Sequence, residues 1–421
     1  TGEVLGRVAV DATPRGVALI SAIDGSPTQA WVLNAVENTV SLVDVSTASN
    51  PRLIDTVVLE DPTQPVVKRG RKAFETAMAS TTGTFSCASC HPDGHTDQLV
   101  WVLATPIVTR GDQIQPRITM PIRGLRDTEP YHWDGIPGDP YGGVNAANAD
   151  GHVPPNSDIN DPTTSTLDLI NGGLASTMHW VGKTNTNDEG KLGMLTAAER
   201  DDMSVFLLSV PYPPAQRRPY DNVQSDRAKE GFRLFHIEGN GGGRAGVCGD
   251  CHRLPHLVST NHPTIGMDTP TWRGAYDRFL ILPQGRINLV TLQPFAELAE
   301  QGIPERELWR RTWAQREAFD PVWDMVEEHS TGYSGAFARQ ATLNQASLAK
   351  PITLDIVNAL EQSAREEAII LAVSGVMIDG NDAQAVSMRF DGQKYTSSID
   401  SHTQEELVAL TREGKFIGTF T

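Results

Sequence analysis

The chain has 421 residues and a formal net charge of −17, from 35 Lys and Arg against 52 Asp and Glu. That length predicts two to four domains with real cores, and the acidic balance excludes nucleic acid and anionic membranes as natural partners. A hydrophobic share of 39% with 27 prolines fits a folded, loop-rich protein, and there is no apolar run of 18 residues to span a membrane. No leader peptide is visible. Thr1 falls inside sequence that reads as folded, so a processed form or a fragment is expected.

Residues 1–60 read as a β segment. Val17-Ala-Leu-Ile-Ser, Ala30-Trp-Val-Leu-Asn and Thr39-Val-Ser-Leu-Val-Asp are short alternating or apolar runs separated by turn residues. Their wording resembles one blade of a YVTN-type β-propeller. A lone blade has open edges, so this sheet is expected to pack on the rest of the chain, to adjoin missing blades, or to pair with another subunit in an oligomer or filament.

The next segment, 61–222, carries Cys87-Ala-Ser-Cys90-His91, and 223–350 carries Cys248-Gly-Asp-Cys251-His252. These use all four cysteines of the chain. C-x-x-C-H is the attachment signature of c-type haem: two thiols reach the porphyrin edge and the next residue brings an imidazole to the iron. A zinc site would join two C-x-x-C elements about 15–20 residues apart, but Cys90 and Cys248 are far more distant. A thioredoxin-like motif needs no trailing histidine. Two covalently bound haem c groups are the expected cofactors, with His91 and His252 as iron ligands. Attachment of this kind occurs outside the cytoplasm, so a periplasmic or extracellular location is expected.

The surroundings of the two motifs are duplicated. Gly70 and Gly231 each precede the first cysteine of their motif by 17 residues, and Phe74 and Phe235 by 13. Each pair predicts a short helix, with glycine for a close approach and phenylalanine facing inward. Downstream, Thr119-Met-Pro-Ile-Arg123-Gly124 parallels Thr269-Pro-Thr-Trp-Arg273-Gly274. Arg123 and Arg273 read either as surface ion-pair partners or as guanidinium forks for a haem propionate.

Together these features resemble the bacterial di-haem cytochrome c peroxidase and MauG-like superfamily, over roughly residues 65–290. Asp268-Thr-Pro-Thr-Trp-Arg273-Gly274 is similar to its D-T-P-T-L-R pattern, and Pro130-Tyr-His132-Trp-Asp-Gly135 to its P-Y-F-H-D-G pattern. The resemblance implies two tandem cytochrome c-like haem domains, electron transfer between the haems, and peroxide as a substrate. It also makes Trp101 either an aromatic bridge between the haems or a core residue. His132 is the expected sixth ligand of the first haem and His262 of the second, each against the alternative of a hydrogen-bonded loop residue. Met120, Met178, Met267 and Met325 are further thioether choices against core filling. No residue matches a catalytic Glu or Gln, so no catalytic residue is assigned. The fold class expected is mainly α with added β.

Residues 136–195 read as long loops. Thr196-Ala-Ala-Glu199 is a capping box for a helix to about 209, and Pro211-Tyr-Pro-Pro214 ends it. A helix is expected at about 304–313. From 351 to 421 the pattern predicts a small α+β appendage: a helix near 354–366, strands near 368–378 and 384–396, a helix capped by Thr403, and a closing strand at 415–420. Three functions remain open: a peroxidase or oxidase, an electron-transfer cytochrome, and a filament-forming conduit. All three call for a redox partner, and the acidic surface favours a basic one.

Overall fold

The computed structural model describes residues 2–104, 114–133, 135–142, 154–179, 183–213, 215, 217–238, 249, 252, 261–262, 267–268, 271–277, 316–329, 334–380, 382–398 and 400–421. The helix expected at 304–313 lies outside them. The chain divides into two compact units. One comprises Thr1–Pro211, Pro255–Pro270 and Pro283–Gly285; the other comprises Tyr212–Leu254, Thr271–Leu282 and Arg286–Thr421.

In the first unit, strands β1 (Pro14–Ser21), β2 (Pro27–Asn34), β3 (Thr39–Asp44) and β4 (Arg52–Val58) form an antiparallel meander in that order. The fourth strand extends the three that the sequence pattern reveals. Ala30, Val32 and Val43 form the covered side with Val8, Val10 and Val45. Asn34 is buried between β2 and β3, and its amide donates to Thr39 Oγ1 at 3.0 Å and Ser41 Oγ at 2.9 Å. Val17, Leu19, Trp31, Leu33 and Val57 remain exposed, the last three on the side of the sheet that those valines do not cover.

Helix α1 (Pro65–Glu75) follows, with proline in its first turn and Gly70, Ala73 and Phe74 on its buried side. It crosses the later helix α4 (Ala197–Ser209) at Gly70, where a Cβ would run into the Asp202 carbonyl and Phe206. The expected capping box is present: Thr196 Oγ1 accepts from Glu199 N, and Glu199 accepts from Thr196 N at 2.9 Å. Between them lie α2 (Cys87–Cys90), a ribbon of β5 (Val100–Ala104) and β6 (Ile114–Ile118), and α3 (Pro162–Ala175). Helix α3 corrects the reading of 136–195 as loops throughout. Its Thr, Ser and Gly content is poor for helix, but Asp161 caps it, Pro162 starts it, and Ile170 and Leu174 bury against Met203 and Leu207. Arg200 lies fully inside, with Nε donating to Leu195 O and Nη1 to Asn171 Oδ1, both at 2.8 Å. Its charge is thus spread over carbonyls. The unit also holds the two-residue strands β7 (Asn261–His262) and β8 (Met267–Asp268).

The second unit repeats the helix crossing. Helix α5 (Asp226–Arg233) meets α6 (Arg316–Glu328) at Gly231, where a Cβ would strike Pro321 O. Helix α5 continues as a π turn, Leu234–Glu238, carrying Phe235 and His236. The unit's C-terminal part is a six-stranded antiparallel sheet, β9 (Ala341–Leu343), β10 (Ala372–Asp379), β11 (Asp382–Phe390), β12 (Tyr395–Thr396), β13 (Ser401–His402) and β14 (Phe416–Phe420). The spatial order is β13-β12-β11-β10-β14-β9. Helices α7 (Pro351–Arg365) and α8 (Gln404–Arg412) supply Val357, Leu360 and Leu407 to a core with Leu343, Val373, Tyr395, Phe416 and Phe420.

The expectation of a mainly α chain made of two tandem cytochrome c-like haem domains is therefore corrected. Eight α-helices and fourteen strands share the described residues, and the strands form antiparallel sheets. The cause lies in the flanking chain. Alternating β-branched runs before residue 60 and after 370 build sheets of four and six strands. What recurs in the middle is a glycine helix crossing whose phenylalanine lies near a histidine, Phe74 near His91 and Phe235 near His252, rather than a pair of complete helical domains.

Candidate functional site

Around the first motif the chain makes one turn of helix, Cys87–Cys90, with Ser86 as its cap: Ser86 N donates to Ser89 Oγ at 3.0 Å. His91 closes the turn, its N–H reaching Cys87 O at 3.0 Å. Helical spacing thus puts Cys87 and Cys90 on neighbouring positions of one face. Both are free thiols. Burial pushes the Cys87 thiol up to about 12, and burial with Asp97 raises Cys90, so both are protonated at neutral pH.

The His91 ring packs 6.4 Å from Phe74, which in turn lies 5.5 Å from Phe206. The glycine crossing of α1 and α4 therefore positions the imidazole through a run of tilted ring contacts. Burial holds the His91 pKa below its ordinary value, against opposing contributions from the Met120 and His95 backbone and Asp97. The ring is neutral at pH 7, and its buried Nδ1 has no hydrogen-bond partner among the described residues.

Arg123 is drawn to this turn. Its Nε and Nη2 donate to Asp93 O at 3.3 and 3.0 Å, while Ile122 N donates to Gly94 O at 3.0 Å. Asp93 and Gly94 both have positive φ, 52° and 73°, the tight reversal that exposes those carbonyls. His132 sits on an anchored loop. Tyr131 and Trp133 on either side are buried, with Tyr131 OH donating to Leu125 O and Trp133 Nε1 to Ile118 O, both at 3.2 Å. His132 itself is exposed at φ 65°, and its imidazole lies within electrostatic reach of both His91 and Asp168.

Asp168, on α3, is a residue the sequence reading missed. Its Oδ2 accepts from Gly138 N at 3.0 Å, tying the His132 loop to the helix. Burial raises its pKa. No sequence signal marks it, because its partner is a backbone amide thirty residues away. Trp101 lies elsewhere than in a core: it is 40% exposed, and its Nε1 donates to Asp97 Oδ2 at 2.9 Å. Met178 is a core residue of this unit and Met325 of the other.

In the second unit, Cys248 and Cys251 lie outside the described residues. His252 is half-buried, with its ring 5.9 Å from Phe235, so the phenylalanine–histidine contact of the first motif recurs. Beside it is a cluster absent from the sequence reading. Trp272 Nε1 donates to His236 Nε2 at 3.1 Å, Phe232 stacks on His329 at 5.9 Å and 16°, and Trp272 meets His329 edge-on at 5.6 Å. Burial, with Arg218 and His236 nearby, holds His329 down to about 4. The spacing of Phe232, Phe235 and His236 on one helical face was the available signal. Arg273 follows Trp272, its N–H on Thr271 Oγ1 at 3.2 Å. His262 lies in the first unit, on β7, opposite Met267 of β8.

Among the described residues no three His, Cys, Asp or Glu side chains cluster to hold a metal ion, and no helix is long and apolar enough to cross a membrane. A haem iron asks for less than such a cluster, since the porphyrin supplies four nitrogens and the protein one imidazole. Cys87, Cys90 and His91 fit that demand: two unpaired thiols on one helical face beside a neutral imidazole.

No protein family and no curated protein matches the chain. Among solved structures it is similar to hydrazine synthase of Kuenenia stuttgartiensis, at 18% identity and a TM-score of 0.39, over 64% of this chain and 89% of that one.

Proposed function

We propose that the chain is an exported c-type cytochrome that binds two haems covalently and transfers single electrons between redox partners. The observation that carries this reading is the first motif, where two free thiols on one helical turn adjoin a neutral imidazole fixed by Phe74. When bound, a haem supplies one-electron iron chemistry. The chain's own residues Cys87 and Cys90 would attach it and His91 would hold its iron, while the Arg123 contact to Asp93 O sets the loop. Cys248, Cys251 and His252 serve the second haem, with Phe235 in the place of Phe74.

Peroxide reduction in the manner of the cytochrome c peroxidase-like enzymes is the enzymatic form of the same reading. It needs an open iron position and a proton carrier. Asp168, a carboxyl with raised pKa near His132, can hold such a proton. The second form is non-enzymatic electron transfer, in which His132, exposed on its anchored loop, would be the second protein ligand of the first iron and would leave peroxide no place there. The −17 charge favours a basic redox partner with salt-dependent association.

Mass spectrometry and alkaline pyridine spectra of protein matured in the periplasm should give two covalent haems, and Cys248→Ala should leave one thioether fewer. Electron paramagnetic resonance of oxidised wild type and His132→Ala reads the first iron. A low-spin signal turning high-spin in the variant supports His132 as ligand. Protein purified without covalent haem would refute the whole reading.

A further inference from the structure

The C-terminal part of the second unit holds a cleft of about 1090 Å³, in the range of small-molecule sites. Its floor is apolar, with Leu360, Ala364 and Leu371 among its residues, and Phe337 and Ile370 stand exposed, at 40% and 71%, on its wall. Three guanidiniums line it: Arg339, Arg365 and Arg389.

The three differ in how far their charges are met. Arg365 is locked, with Nη2 on Glu361 Oε2 at 2.6 Å, Nε on Gly392 O at 3.1 Å, and its guanidinium carbon 5.3 Å from the Phe390 ring centre. The other Glu361 oxygen is taken by the Tyr395 hydroxyl at 2.6 Å. Arg339 meets only carbonyls, Gly335 O at 3.3 Å and Arg218 O at 3.2 Å. Arg389 is exposed on β11, and its guanidinium makes no hydrogen bond or ion pair among the described residues. Two side-chain carboxylates, Asp391 and Glu367, also line the cleft, as does the last residue, Thr421. Asp391 is committed to its own turn, accepting from Gln393 N and Lys394 N at 2.8 and 2.7 Å, and Glu367 is exposed at φ 57°. With Arg365 paired to Glu361 and Asp391 committed to its turn, Arg339 and Arg389 are the cleft's guanidiniums without a carboxylate partner among the described residues.

We propose that this cleft binds a carboxylate carried on a flat apolar body. The guanidiniums of Arg339 and Arg389, neither of which meets a carboxylate among the described residues, would take the carboxylate, and the Phe337 wall with the Leu360 and Leu371 floor would take the ring. This inference is independent of haem and holds for the chain with or without it.

Isothermal titration at low ionic strength with 1-naphthoate tests it, with 1-naphthylmethylammonium and inorganic phosphate as comparison probes. Saturable naphthoate binding is expected, weakened about tenfold by Arg389→Ala, more by the Arg339→Ala, Arg389→Ala pair, and abolished by Arg389→Glu. Both arginines are exposed, and thermal melts matching wild type establish that the variants fold. The ammonium probe should not bind, and phosphate should bind at least tenfold more weakly. Absence of saturable naphthoate binding, binding unchanged in the double variant, or equal binding of the ammonium probe would each overturn the proposal. Phosphate binding as tight as naphthoate would overturn the requirement for an apolar body.

Discussion

Replacing Gly70 with alanine sets two effects of opposite sign against each other. In an open helix the change is favourable by roughly 0.5–1 kcal/mol, because glycine loses the most backbone entropy on folding. At the crossing of α1 and α4 the new methyl would meet the Asp202 carbonyl and sit 2.6 Å from Phe206 Cβ. The first obstacle is backbone and cannot rotate away, so the helices must part. Overpacking of this kind costs about 1–3 kcal/mol, and parting also loosens the Phe74 contacts to Phe206 and His91. The net expectation is a loss of about 1–2 kcal/mol, or roughly 2–8 °C in melting temperature for a unit of this size.

Gly172→Ala provides the matched comparison. Gly172 is on α3, and a Cβ there meets nothing within 4 Å, so the same substitution should stabilise by roughly 0.5–1 kcal/mol. Calorimetry and urea titration followed by circular dichroism read both variants. Gly70→Ala as stable as wild type, or stabilised like Gly172→Ala, would refute the close crossing. The chain of contact from Gly70 through Phe74 to His91 would fall with it.

Three further outcomes are expected. Gly231→Ala should destabilise the second unit in the same way, because its methyl meets Pro321 O and is 2.9 Å from Val322 N; a stabilised variant would show the two crossings to be unlike. Tyr395→Phe removes the donor to one buried oxygen of Glu361 and should cost about 1–3 kcal/mol, and a neutral result by urea titration would discount that network. His329 has a folded pKa of about 4, below the unfolded value of roughly 6.5. The unfolded chain therefore binds more protons between those values, so stability is full above the unfolded pKa and is lost as pH falls toward 4. The gap corresponds to roughly 3 kcal/mol at most, and to about 1–2 after solvent screening of a half-buried ring. His236 acts in the same direction and the raised Glu327 carboxyl in the opposite one. The drop in urea midpoint from pH 7.5 to pH 5 should shrink in His329→Phe, and an unchanged drop would remove His329 from the cause.

The parts legible in the sequence are those fixed by covalent spacing. Cys87, Cys90 and His91 occupy one turn because the chemistry needs them within a few bonds of each other. Gly70 and Phe74 share a helix face because four residues make about one turn. Thr196 and Glu199, like Thr403 and Glu406, declare their helices through a local exchange of hydrogen bonds. Each of these is written inside a short window, so each survives translation from pattern to structure. The fold class was not legible in the same way. The two haem motifs are conspicuous, while the sheets that dilute them are spread over β-branched runs near both ends, and helix α3 is composed of residues that favour turns.

The unforeseen site residues follow the same logic from the other side. Trp272 donates to His236, 36 residues away, and Phe232 stacks on His329 near the far end of α6. Gly138 reaches Asp168 through its backbone amide, a donor that no side chain announces. No local pattern can encode a partner brought in by a helix crossing or a loop return. Yet the device that brings them in is encoded locally, since Gly231 lets α6 approach α5 as Gly70 lets α4 approach α1. Sequence thus specifies the hinge points of both sites more clearly than the residues they gather. The glycine substitutions are for that reason the sharper probe: they leave every cysteine and histidine in place and act on the geometry that unites them.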